Sequence, residues 1–148
     1  KIKNETLVHR DFHVSNLMKY KKKLATIDTQ DALIGNRTYD LASLIDDVRF
    51  KSNKKLKDNI YSYYLKISKN KINKVILLND FEILSVIRNM KIIGIFVRLA
   101  TRDKKKTYLK LIPYAWQLIE LRMQNNQIFD GLKRVLDINF PKKIRNLK

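Results

Sequence analysis

Cysteine is missing from the chain altogether. That removes disulfides, thiolate chemistry and Cys-ligated zinc, and it is compatible with a cytoplasmic protein. Histidine occurs only as His9 and His13. No Glu stands between them and Phe12 leads into no helical pattern, which argues against the helical His-Glu-x-x-His zinc site. Glycine is nearly as scarce, with three in the chain, and no Gly-rich loop occurs anywhere. No apolar run approaches the roughly 18 residues that cross a bilayer. The longest candidate, IIGIFV at 92–97, is closed off by Arg98, and no segment reads as a signal peptide. The aromatics are dispersed through helical patterns, which argues against a sheet-based base-stacking module.

What is present is a globular composition of one-domain length, 45% hydrophobic and 31% charged over 148 residues. The net charge is +18. Such a field attracts phosphate-bearing partners in general. Lysine is nevertheless spread along the whole chain beside many Ile and Asn, the bias of AT-rich codons. No helix face concentrates the charge with interleaved aromatics, so nucleic acid is not the expected partner.

Apolar periodicity organises the rest. LMKY (17–20) and LATI (24–27), joined by three lysines, predict a small hairpin. A loop is expected around Gly35-Asn36, and everything beyond reads as helical. Tyr39, Ala42, Ile45 and Val48 recur at helical spacing, as do Leu56, Ile60, Tyr63, Tyr64 and Ile67. Asn79 with Glu82 resembles a capping box opening a long apolar helix to about Ala100. Pro113 suits the first turn of another helix, to about Met123, and a last one runs from Phe129 to Ile138 before Pro141. The expected fold class is mainly α with a small β-hairpin.

The polar residues crowd one end. His9-Arg10-Asp11 is followed by Asn16, and Asp28 comes just past the hairpin. A loop carboxylate can orient a substrate hydroxyl and accept its proton. An amide oxygen a few residues on, with a second carboxylate, can share a hard cation, and the hairpin brings Asp28 back to the loop. That is the equipment of phosphoryl transfer, where positioning and charge neutralisation matter most. The spacing agrees with the H-R-D-x-x-x-x-N catalytic loop and the metal-binding Asp of kinases. Any one of these residues alone would be read as a turn former. The ordered set favours the functional reading.

HRDFHVSNLM and ATIDTQDALIGNRTYDLASLIDD resemble the catalytic core of the aminoglycoside phosphotransferase-like kinases, which share the bilobal protein-kinase fold. The resemblance implies Asp11 as the catalytic Asp, Asn16 and Asp28 as metal ligands, and ATP and Mg2+ as co-substrate and cofactor. Asp40 in YDLAS matches an Asp that supports the loop from the following helix, with His9 and Arg10 as further bracing. RNMKIIGIFVRLATRDKKKTYLKLIPYAWQLIE (88–120) is similar to the C-terminal helices of bacterial cell-wall amino-sugar kinases. Those enzymes phosphorylate the anomeric hydroxyl of N-acetylmuramate or N-acetylglucosamine, so a small sugar is the implied substrate. The kinase Asp-Phe-Gly is here Asp28-Thr29-Gln30, with Thr29 in place of a usual aromatic. His13, Gln30 and Asp31 are candidates for the substrate side, with loop packing an equal alternative for His13. Arg98 and Arg102 are candidates for an anionic group, against a solvated role favoured by the basic surface.

A kinase of this fold needs an N-terminal lobe to cover the nucleotide phosphates. With Asp11 so near the first residue, residues 1–148 are expected to be the C-terminal lobe of a longer enzyme, inactive alone. Two rival functions stay in view. An aminoglycoside kinase would want an acidic cleft for its polycationic substrate, and the 14 acidic residues against 32 basic ones argue the other way. A non-catalytic basic helical binding domain is the alternative from a different class.

Overall fold

A computed structural model of the chain describes residues 2–68 and 73–146. The chain divides into two compact units, Lys1–Leu84 and Ser85–Lys148, and the division falls inside one long helix. Among the described residues the β structure is two short antiparallel pairs, and helices make up most of the rest. This is the mainly helical architecture implied for a kinase-like C-terminal lobe.

The first unit opens on a strand pair that periodicity does not announce. β1 (Thr6–Val8) pairs with β4 (Leu33–Gly35) in the register Thr6↔Gly35, Leu7↔Ile34, Val8↔Leu33. Three-residue strands are too short to show alternation, so the loop expected at Gly35 instead begins one residue later. Gly35 is required for space. A Cβ there would lie 2.7 Å from Cγ2 of Val8, whose side chain is buried. Between these strands, β2 (Leu17–Tyr20) and β3 (Lys23–Thr26) form the expected hairpin. It turns at Lys21-Lys22, with Lys21 at φ 53°, a conformation usually left to Gly or Asn. The other left-handed residues described are Arg10, Asp28 and Lys104, and no glycine has a positive φ.

Helices α1 (Tyr39–Ile45), α2 (Lys54–Ile67) and the start of α3 (Lys74–Thr101) enclose the core of this unit. Leu41, Ala42, Ile45 and Phe81 are buried together, with Ile60, Tyr61 and Tyr64 packed against them. Val48 is buried too but lies past the end of α1. The inward face of α2 is rotated from the expected stripe, leaving Tyr63 and Ile67 exposed and burying Lys57. The Lys57 ammonium donates to the Ile45 carbonyl at 2.6 Å and to Asp46 Oδ1 at 2.8 Å. A satisfied ammonium is tolerated inside, and its aliphatic stem serves as apolar surface.

Helix α3 starts earlier than the Asn79–Glu82 pair suggests. Asn73 Oδ1 accepts from the N–H groups of Val75 and Ile76, satisfying donors that a helix start leaves open. Asn79 is an interior residue of a 28-residue helix. Among the described residues no helix is long and apolar enough to cross a membrane.

The second unit comprises the rest of α3, then α4 (Ile112–Met123), α5 (Asp130–Asn139) and α6 (Lys142–Arg145). Pro113 sits in the first turn of α4, as expected. Past Pro141 the short α6 adds a turn that the sequence reading stops before. Phe96, Ala115, Trp116, Leu118, Ile119 and Leu136 are among its buried residues. Arg145 staples the end of this unit. Its guanidinium donates to Glu120 at 2.8 Å, to Asp137 at 2.6 Å and to the Phe140 carbonyl at 2.6 Å, and lies 5.1 Å from the Trp116 ring centre. Burial works to lower its pKa, but the bonds from Glu120 and Asp137 carry it above the ordinary arginine value.

Gly35→Ala is expected to lower stability by about 1–3 kcal/mol through overpacking against Val8. In urea unfolding, Gly35→Ala combined with Val8→Ala should lose much less than the sum of the single effects. Strict additivity would show that the collision is not the cause.

Candidate active site

The site grows from the end of β1. Immediately after Val8, the backbone N–H groups of His9 and Arg10 donate to the two carboxylate oxygens of Asp40, at 2.7 and 3.0 Å. Asp40 stands in the first turn of α1, whose apolar face is fixed in the core. Two consecutive N–H groups reach one carboxylate only if the chain turns sharply, and Arg10 takes φ 72° to do so. For a non-glycine residue this costs on the order of 1 kcal/mol. The charge-assisted bonds offset it.

Asp11 follows the turn and is half-buried. Its carbonyl accepts from the N–H of His13 and from Asn16 Nδ2, both at 3.0 Å. Because the Asn16 nitrogen is committed to that carbonyl, its amide oxygen is the end left for a cation. Asn16 closes a 3-10 turn, Val14–Asn16, and is buried to 9% exposure. The hairpin then acts as a ruler. The pair Leu17↔Thr26 sets Ile27 opposite Asn16, and Ile27 N–H donates to the Asn16 carbonyl at 3.1 Å. Asp28 is the next residue. From the other side, His9 Nε2 lies 2.9 Å from the Ile27 carbonyl, so the ring carries its proton there. Ile27 is thereby tied through both backbone groups to the His9–Asn16 loop.

Asp28 is exposed, with φ 68°, the second left-handed residue of the site. Gln30 Nε2 donates to its Oδ1 at 3.2 Å, and its other oxygen remains as an acceptor. Asp31 is exposed, and its carbonyl is 3.5 Å from Arg10 Nη1. His13 is buried at 8% exposure. Arg98 is exposed, and Arg102, 67% exposed in its side chain, is paired with Asp103 at 2.6 Å; both belong to the second unit. Among the described residues no three His, Asp or Glu side chains converge as a ready-made metal cage. The Asn16 amide oxygen and the Asp28 carboxylate would together make an all-oxygen, two-ligand set. That suits Mg2+, which keeps several waters and takes further oxygens from substrate phosphates.

Asp47 is absent from the candidates named above, yet it is bonded to the same loop. Its carboxylate is fully buried and accepts from the N–H of Val14 at 3.3 Å and of Arg49 at 2.9 Å. One signal could have found it. Adjacent carboxylates at a helix C-terminus oppose the helix dipole, so Asp46-Asp47 at the end of an apolar helix demands tertiary partners.

Residues 3–70 match the model of a family described as the phosphotransferase enzyme family, a span that contains every residue of this site. The chain belongs to that phosphotransferase family. Within it, an N-acetylmuramate/N-acetylglucosamine kinase of Neisseria meningitidis serogroup B is 36% identical over 111 residues, 72% of this chain and 33% of that protein. Enzymes of the same name from Pseudomonas aeruginosa and Caulobacter vibrioides are 34% and 28% identical, each over 76% of this chain. The chain spans about a third of the length of these curated relatives.

Asp40→Ala is expected to speed amide hydrogen exchange at His9 and Arg10 by about tenfold or more, given roughly 1.5–3 kcal/mol per bond to a charged group. Unchanged exchange at both amides would show that the turn is held by something else.

Proposed function

We propose that this chain carries the catalytic loop and the metal-ligand loop of an ATP- and Mg2+-dependent sugar kinase. The acceptor in this reading is an amino sugar of the N-acetylmuramate/N-acetylglucosamine class, phosphorylated at the anomeric hydroxyl. One observation carries the reading: His9 and Asn16 both bond to Ile27, which joins the Asp11 loop to the residue before Asp28. The name that the relatives share, N-acetylmuramate/N-acetylglucosamine kinase, supports the acceptor class.

In this mechanism Asp11 orients the acceptor hydroxyl and takes its proton as the oxygen attacks the γ-phosphorus and ADP departs. Asn16 and Asp28 would hold Mg2+ through their side-chain oxygens. When bound, the ion neutralises charge on the transferring phosphates. His9 and Asp40 keep the two loops in register, and Gln30 orients Asp28 through the bond to its Oδ1. The strain at Arg10, held by the two bonds to Asp40, supports the same reading. Strain held by over-determined contacts gathers where geometry has a task.

The test is turnover in the full-length protein with ATP, Mg2+ and a panel of amino sugars. Asp28→Ala and Asp11→Asn are each expected to lower kcat by at least about a hundredfold. Near-normal turnover of Asp28→Ala would sink the metal assignment. Phosphorylation of aminoglycosides with no transfer to amino sugars would replace the acceptor.

A further inference from the structure

Asp40 secures the entry to the catalytic loop, but the loop has a second end. Val14 begins the 3-10 turn that closes with Asn16, and the first N–H groups of such a turn have no partner within it. His13, the residue in the capping position, makes no side-chain bond to cap this turn. The missing acceptor comes from Asp47, whose Oδ2 takes the Val14 N–H at 3.3 Å. Asp47 is itself fixed. Its Oδ1 accepts the Arg49 N–H at 2.9 Å, with Arg49 Nη1 at 3.9 Å, and none of its side-chain surface is exposed.

Asp40 and Asp47 bracket α1, one in its first turn and the other just past its C-cap. A single short helix, anchored in the core by Leu41, Ala42 and Ile45, thus holds both ends of the loop. Ser43 lies between them, fully buried, and its hydroxyl has no hydrogen-bond partner among the described residues.

We propose that Asp47 is a positioning residue for the metal: by capping the Val14–Asn16 turn it sets where the Asn16 amide oxygen stands relative to Asp28. The proposal rests on the reading of Asn16 and Asp28 as Mg2+ ligands. Asn16 is held on its other side by the hairpin, through the Ile27 N–H, and by its own bond to the Asp11 carbonyl. Releasing the turn at Val14 frees the end of Asn16's element that the hairpin does not hold. Groups that orient metal ligands affect metal affinity by about 10- to 100-fold.

The bond can be deleted from either side. Asp47→Asn removes the charge and leaves one oxygen for two N–H donors. Val14→Pro removes the donor and leaves Asp47 intact. Proline is tolerated in the first position of a helical turn. The preceding His13 has φ −133° and ψ 165°, the extended conformation that a residue before proline requires. Val14 is 39% exposed, so its side chain contributes little packing. Val14→Pro therefore keeps the test usable if Asp47→Asn fails to fold. Ser43→Ala, on the same helix, serves as the control.

Two measurements on the full-length protein decide the matter. In the metal-free protein, amide exchange at Asn16, whose N–H donates to the His13 carbonyl at 2.9 Å, should accelerate about tenfold or more in both variants and stay unchanged in Ser43→Ala. In Mg2+ titrations of ATP binding, the half-saturating Mg2+ concentration should rise about tenfold or more in both variants, and saturating Mg2+ should restore binding. Asp28→Ala should not be restored. Faster exchange with an unaltered Mg2+ requirement would reduce Asp47 to a structural cap and overturn the proposal, as would unchanged exchange in a folded variant. Wild-type protein with no Mg2+-dependent ATP binding would overturn the metal reading itself, and this proposal with it. That failure shows before any variant is made.

Discussion

One carboxylate organises the front of this molecule. Asp40 accepts the N–H groups of two consecutive residues, and no relaxed extended chain can offer both. The cost is taken as backbone strain at Arg10, and the result is a chain that reverses direction at the point where Asp11 must emerge. Asp40 is exact in position because α1 is exact, and α1 is exact because Leu41, Ala42 and Ile45 are locked against Phe81. Core packing is thereby transmitted to the entry of the loop through Asp40, and to its other end through Asp47. A close-packed interior does not deform gradually, which makes it a good reference frame for a loop.

The β2–β3 hairpin performs the complementary task. It converts the sequence distance between Asn16 and Asp28 into adjacency by pairing Leu17 with Thr26 and so setting Asn16 beside Ile27. His9 then locks the Ile27 carbonyl, so the loops are joined by backbone as well as by side chains. The electrostatic setting is two-layered. The 148 residues together carry +18, a field that attracts phosphate-bearing molecules in general. At the site the side chains are largely carboxylates, Asp11, Asp28, Asp40 and Asp47. Asp40 and Asp47 are absorbed by backbone donors, and in the proposed mechanism Asp11 and Asp28 would serve the proton and the cation.

The sequence exposes those parts whose logic is local. The hairpin, the proline-led α4 and the long apolar α3 follow from periodicity and turn chemistry, and the order His9-Arg10-Asp11, Asn16, Asp28 follows from known spacing. What stays hidden depends on tertiary partners. The β1–β4 pair is three residues per strand, below the length at which alternation means anything. The inward face of α2 turns on Lys57, which no hydrophobic count would place inside until Asp46 is known to meet it. The start of α3 is set by Asn73, while a better-looking signature at Asn79 lies in the interior. Asp47 shows only as an unfavourable charge at a helix end, and its partner Val14 lies 33 residues away.

The four left-handed residues described make a further point about composition. Arg10 and Asp28 occupy that conformation within the site, and at Arg10 the two bonds to Asp40 require it. Lys21 and Lys104 occupy it at a hairpin tip and just beyond α3, while none of the glycines has a positive φ. The same backbone shape thus arises from two histories. At the centre, conformational strain accompanies geometry that the bonds demand. At the periphery it is the trace of a lysine-enriched sequence, carried in turns that glycine would make at less cost.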